Sequence, residues 1–447
     1  MHFLRYTTAL LFCSTALFTC GCTLGPRQID KGRLHYNAAV QRTFQQEILL
    51  NIVRLKYREV PEFLTIGGIA AQYSFDSSAA AGLNIPEGVM GILSLNGSIS
   101  RSEKPTISYV PAGEEFQKGL LAPIDPQSLQ LLCRTGWSWE RILRTTVQYL
   151  NDVNNATSAG GPTPDLKPEF EEFRYLAHLL RQLQIQQQVE LAVLERTTEP
   201  KEVPIPRDQL DGAFVINALK DGYTFDDTAD GLFLVKAEQF SALVIHPDAK
   251  HSREVQEVAR LLGLGVDCDS PEPAVYELKS GTQGRIQPAH KNKVKRPHAW
   301  EYESEQGTVH RLPPPEGWEA TLEGALPTGR RDIVVSTRSL LEVMYYLSQG
   351  ISIPREHLET GLVTVTVDQD GNPFNWAELT GDLIQIRSCK RRPKMPAVAV
   401  KYKGYWFYID DRDLNSQSTF ALFVQLFGIE VRAGGGGGFL YTLSVGG

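Results

Sequence analysis

Between Phe63 and Ser102 the sequence changes its period. Alternate positions read Phe63, Thr65, Gly67, Ile69, Ala71, Tyr73, Phe75, and later Gly91, Leu93, Leu95, Gly97, Ile99, with Ser94, Asn96, Ser98, Ser100 and Ser102 in the opposite phase. A helix returns to one face every 3.6 residues, so a strict period of two excludes it and predicts strands with one wet and one dry face. A small-residue loop, 77–88, separates them, and a third short strand, 106–110, ends at Pro111. Strands of this length match the roughly 9–11 residues of a membrane β-strand. A soluble hairpin with one buried face gives the same alternation. The expectation at this point is the soluble one, with Leu95 facing a protein core.

The flanks are helical in pattern. Phe44, Ile48, Ile52 and Leu55 are spaced for a helix over 36–58, and Leu49, Leu50 and Val53 make it apolar on more than one face, as in a buried helix. Helices are expected over 114–121, 127–133 and 139–150. Pro168 opens another, to about Arg196, in which Phe173, Leu176, Leu180 and Leu183 form a seam resumed at Leu191 and Leu194. Strands are expected over 214–218, 232–235 and 242–245, and a helix from Ser252 to Leu262 closed by Gly263. Near the C-terminus come a strand over 332–335, a helix from about Ser336 to Gly350 and a hairpin turning at Lys403-Gly404. A helix face of Phe420, Phe423, Val424 and Phe427 and a closing strand over 439–445 follow.

These readings make an α+β, multi-domain chain with N-terminal helices, a β-hairpin region and a C-terminal mixed α/β domain. The expected segments are a leader (1–21), a tether (22–35) and a helical domain (36–197) with the hairpin region 63–110 inserted. A small α/β region (198–280), a basic, Pro-rich linker or loop (281–330) and a C-terminal α+β domain (331–447) complete the division.

Residues 1–21 have the parts of an export signal: Arg5, an apolar core of about a dozen residues, and a small residue before a cysteine. Gly21 beside Cys22 marks Cys22, rather than Cys20 behind the larger Thr19, as the residue that receives lipid. In bacterial lipoproteins that this segment resembles, an aspartate after the cysteine favours inner-membrane retention, and Thr23 stands there instead. The expected address is therefore the outer membrane, lipid-anchored and facing the periplasm.

The chain carries 45 basic and 52 acidic side chains, net −7, and loss of Arg5 with the leader makes it more acidic. That argues against nucleic acid as a partner, since phosphate neutralisation needs Lys and Arg. Cys133, Cys268 and Cys389 are too scattered for a CxxC pair or a clustered zinc site. No G-x-S-x-G elbow, H-E-x-x-H helix or Walker loop occurs, so no catalytic residue, metal or cofactor beyond the lipid on Cys22 is expected. Asp411-Arg412-Asp413-Leu414-Asn415 starts like a calcium loop but has Ser416 and Leu422 where glycine and a bidentate acid belong, and reads as a helix cap. Ser336, Thr337, Arg338 and Ser339, at a strand–helix junction, are a weak candidate for holding an anion, with capping the simpler account. Lys291, Lys293, Lys295 and Arg296 are a weak candidate for lipid head-group contact.

Four segments resemble a family of uncharacterised bacterial lipoproteins: Leu49–Tyr57 (LLNIVRLKY), Lys104–Tyr109 (KPTISY), Ser336–Leu340 (STRSL) and Tyr405–Asp411 (YWFYIDD). The resemblance spans most of the chain behind the leader, implies a lipoprotein, and supplies no catalytic residue. The sequence-level reading is a non-enzymatic scaffold or assembly partner in the envelope, with an envelope protein as its partner. The alternative is an oligomeric β-barrel pore or export component built from the 63–110 hairpin, and a second alternative is an envelope hydrolase of unlisted type.

Overall fold

The computed structural model describes residues 24–84, 92–197, 212–228, 231–281, 300–303, 309–312, 329–368, 370–433 and 440–445. The chain begins with α1 (Leu24–Lys56), which takes in nearly all of the expected tether. Pro26 lies in its first turn, where proline is tolerated, and extending a helix that is already nucleated is cheap. From Ile48 onward α1 is buried, as its all-round apolar pattern predicts. Then come β1 (Leu64–Asn84) and β2 (Ile92–Pro111), 21 and 20 residues paired as one antiparallel hairpin. The expected third strand is the last part of β2, and much of the expected loop is the end of β1. Pro105 is accommodated because β2 is an edge strand.

Three helices follow: α2 (Glu114–Leu121), α3 (Pro126–Arg134), capped by Asp125, and α4 (Trp139–Thr146), capped by Ser138. The helix expected over 139–150 stops early. Thr145, Thr146 and Val147 are β-branched in succession, and the chain continues as β3 (Val147–Leu150) and β4 (Val153–Asn154). The helix expected from 168 to 196 is likewise two elements, α5 (Glu171–Ile185) and β5 (Val189–Thr197). Gln187, at φ 55°, turns the chain between them, and Leu191 pairs with Leu243 across a sheet rather than extending a seam.

The strand expected over 214–218 is α6 (Gly212–Lys220), a short apolar run that period alone cannot assign. After β6 (Tyr223–Thr228), the next two expected strands are one, β7 (Gly231–Ile245). Helix α7 (Arg253–Leu262) has the expected bounds, with the Ser252 hydroxyl accepting from the Val255 amide and Gly263 left-handed at φ 68°. Next come β8 (Ala274–Ser280), the paired β9 (Trp300–Glu303) and β10 (Val309–Leu312), and β11 (Asp332–Thr337). Helix α8 (Leu340–Ser348) starts later than expected because Ser339, in a reciprocal capping box with Glu342, is its cap. Short helices α9 (Arg355–Glu359) and α10 (Ala377–Thr380) lead to β12 (Arg387–Cys389), β13 (Pro396–Tyr402) and β14 (Tyr405–Asp410). The turn between β13 and β14 falls at Lys403-Gly404, both at positive φ. Helix α11 (Leu414–Ala433) and β15 (Leu440–Val445) close the described chain.

One sheet joins segments that were expected as separate domains. Its order is β4-β3-β11-β8-β7-β5, with β6 also on β7, so strands from 147–154, 189–197, 223–245, 274–280 and 332–337 share it. A continuous core runs from Ile48 on α1 to Phe427 on α11. The boundaries drawn at 197/198 and 280/281 therefore fall within one sheet. Composition shifts mark where the chain leaves the sheet, not where a core ends.

Candidate functional site: the hairpin and its root

The hairpin is fixed to the body at its root. Phe63, immediately before β1, is buried against Phe116 and Phe427 at ring-centroid distances of 5.2 and 5.3 Å, and Phe44 of α1 meets Phe427 at 5.7 Å. The Asn51 amide clamps the strand entrance, donating to the Glu62 carbonyl at 2.6 Å and accepting from the Glu62 amide at 3.1 Å. The Leu64 amide donates to Glu47 at 2.7 Å, and the Ala112 amide returns to the Phe63 carbonyl at 3.2 Å. Both ends of the hairpin thus leave from a fixed point.

Beyond the root the environment changes at once. Leu64, Ile107, Tyr109 and Val110 are 53%, 39%, 60% and 50% exposed. Residues 107, 109 and 110 fall on both phases of the strand, so at its described end the sheet has no covered face. The expected burial of Leu95 against a protein core concerns side chains outside those described. Among the described elements, the extensive contacts of β1 and β2 are with each other and with β15. Strand β15 lies parallel to β1 only along Gly68–Tyr73.

The register sorts the sequence. One series of partners reads Leu83–Leu93, Ala81–Leu95, Ala79–Gly97, Ser77–Ile99 and Phe75–Arg101. The other reads Gly82–Ser94, Ala80–Asn96, Ser78–Ser98, Asp76–Ser100 and Ser74–Ser102. Partners directly opposite share a face of the sheet. The first series is apolar toward the hairpin end, and the second is small or polar except at its last pair, Asn84–Ile92. Asp76, Arg101, Glu103 and Lys104 cluster where β15 stops, and the stretches 77–84 and 92–100 carry no charge.

The other expected sites resolve differently. Cys22 and the basic residues Lys291, Lys293, Lys295 and Arg296 lie outside the described residues. Arg338 is fully buried, and its guanidinium donates to the carbonyls of Arg144, Thr145, Val147 and Asn155 while stacking 4.4 Å over Tyr346. Burial lowers its pKa to about 10. Thr337 donates to the Ile124 carbonyl, Ser336 pairs with Tyr149 in the sheet, and Ser339 caps α8. The anion-binding reading of Ser336–Ser339 is therefore corrected to a clamp between β11, α4 and α8. The Asp413 carboxylate accepts from the Ser416 amide and hydroxyl, the arrangement of a cap. Among the described residues no group of three or more His, Cys, Asp or Glu is placed to hold a metal ion, and no helix is long and apolar enough to cross a membrane.

Two buried polar clusters carried no sequence signal, because their members are far apart in the chain. Arg144 on α4 holds Asp382 bidentately at 2.7 and 2.8 Å and Glu140 at 3.1 Å. Lys56, at the end of α1, is buried with its ammonium 2.6 Å from the Gln349 carbonyl oxygen and 5.4 Å from the Trp376 ring centre. Burial lowers its pKa from 10.5 to about 7. Between those values the unfolded chain binds the extra proton, so this group makes stability rise with pH across that window and holds it lowest below about 7. Lys56→Met should accordingly raise the melting temperature more at pH 6 than at pH 10. Equal shifts at the two pH values, read by thermal unfolding, would show that the buried amine does not titrate.

Compared with protein-family models, curated proteins and solved structures, the chain shows no match.

Proposed function

We propose that this chain is a lipid-anchored outer-membrane protein whose copies assemble through the β1–β2 hairpin into a β-barrel pore or export channel. The observation that carries the reading is the hairpin register. Its outer half holds ten consecutive pairs, Phe75–Arg101 to Asn84–Ile92. One series there is mostly apolar and the other, Ile92 apart, small or polar, and the charge-free pairs from Ser77–Ile99 to Asn84–Ile92 approach the roughly 9–11 residues of a membrane strand. The charged residues at 76, 101, 103 and 104 belong at head-group level, with the three-stranded inner half as a collar on the periplasmic side.

A single hairpin could not stay in lipid, because its edge amides and carbonyls would have no partners. Head-to-tail pairing, β2 of one copy on the outer part of β1 of the next, supplies them, and closing the ring removes every edge. The lipid proposed on Cys22, two residues before α1, tethers each copy to the same membrane. The resemblance to bacterial lipoproteins supports that address. The body beneath the collar then offers the surface on which an envelope partner would assemble.

The test is the native lipoprotein in mild detergent and in planar bilayers. A large ring by light scattering and electron microscopy, with stepwise conductance, is expected. A monomer that never conducts would remove the pore reading and leave the scaffold.

A further inference from the structure

A second site lies in the body, away from the hairpin. Between one face of the large sheet and helices α3, α4, α5 and α7 is a cavity of about 70 Å³ with an almost wholly apolar wall, including Leu129, Cys133, Ile142, Leu191, Leu243 and Val335. Beside it, between α3 and strands β5 and β7, is a groove of about 220 Å³ with a mixed wall. Gln130 lines both. Its side chain is 95% buried, by its 5% exposure, and its carbonyl oxygen accepts from the Ser241 hydroxyl at 2.8 Å. Among the described residues its amide nitrogen has no partner. Turning the amide over would leave the oxygen bare instead, so one polar atom stands unpaired in either orientation. Buried amides in folded proteins are nearly always satisfied, and an exception at the junction of two cavities asks for a ligand.

The walls specify its chemistry. The inner cavity is about half the size of an engineered one that stays dry and admits benzene, which suits a chain end of about three carbons. On the groove side, Gln127 and Arg134 lie three residues before and four after Gln130 on α3, along one side of that helix. Leu131 and Val193 form an exposed apolar rim. We propose that this is a binding site for a short aliphatic carboxylate, its tail in the cavity, its carboxylate on the Gln130 amide and the Arg134 guanidinium. The proposal is independent of the hairpin and stands or falls apart from the pore.

Isothermal titration of the full chain in detergent with hexanoate and with 1-hexanol, each corrected for detergent alone, tests it. Hexanoate should bind at least about tenfold more tightly than the alcohol, the scale of a hydrogen bond to a charged group. Arg134→Gln, at an exposed position, should erase that difference and leave the alcohol unaffected. Cys133→Leu should weaken both ligands by filling the cavity, with an unchanged circular dichroism spectrum showing that the variant folds. No binding of either ligand would overturn the site and make the unpaired amide a place for water. Equal binding of acid and alcohol, or hexanoate binding that survives both substitutions, would overturn the carboxylate assignment.

Discussion

A lysine at Leu95 is expected to abolish the membrane form of the protein, while a lysine one residue on, at Asn96, is tolerated. Leu95 pairs with Ala81 in the apolar series and lies near the middle of the uncharged stretch 92–100; Asn96 pairs with Ala80 in the small polar series. In a barrel the first series meets lipid and the second the lumen. A lysine on the lipid face near the bilayer midplane costs about 2–4 kcal/mol, and in the lumen little. That is roughly thirtyfold or more for each copy, and a ring repeats the cost in every copy. Leu95→Lys should therefore lose both the ring and its conductance with the body still folded, and Asn96→Lys should keep the ring and change only its ion preference. If both variants form rings with unchanged conductance, the hairpin does not cross the membrane. If Leu95→Lys unfolds the body, the hairpin packs on it, as the sequence alone suggested.

The second large effect lies in the body. Arg144 is fully enclosed, and Asp382 supplies the two-oxygen partner that balances its charge. Asp382→Ala leaves the guanidinium with Glu140 and the Leu379 carbonyl, and removing one partner of a buried pair costs about 3–5 kcal/mol. Replacing both residues, as Arg144→Met with Asp382→Leu, should recover most of that loss, because no buried charge is left unbalanced. Urea unfolding of the single and double variants separates the two outcomes. A single-variant loss below about 1 kcal/mol would mean that Glu140 alone balances the arginine.

Glu140 adds a pH dependence. Burial pushes its carboxyl up, but the His178 ring 3.6 Å away and the charge of Arg144 outweigh it and hold the group below its ordinary 4.5. A lowered carboxyl contributes stability above 4.5 that is lost as pH falls through the folded value. The network therefore weakens in acid, in the same direction as the buried Lys56.

How much of this was legible depended on distance along the chain. The bounds of α7 could be read from Ser252 and Gly263, the β13–β14 turn from Lys403-Gly404, and the buried half of α1 from its apolar spacing, since a cap, a turn or a helical period involves residues within a few positions of each other. The two alternating runs at 63–102 likewise announced strands, and their small polar phase was visible before any pairing was known. Sequence alone misread 189–197 as a continued helix, 214–218 as a strand, and segments of one sheet as separate domains. Leu191 becomes strand because Leu243 lies opposite it, and Arg338 becomes a clamp because four carbonyls from 144–155 converge on it. Those choices rest on partners brought together only when the chain closes. Short-range backbone preference differs by fractions of a kcal/mol between the alternatives. Burial and pairing with distant strands outweigh it, and so tertiary structure decided them.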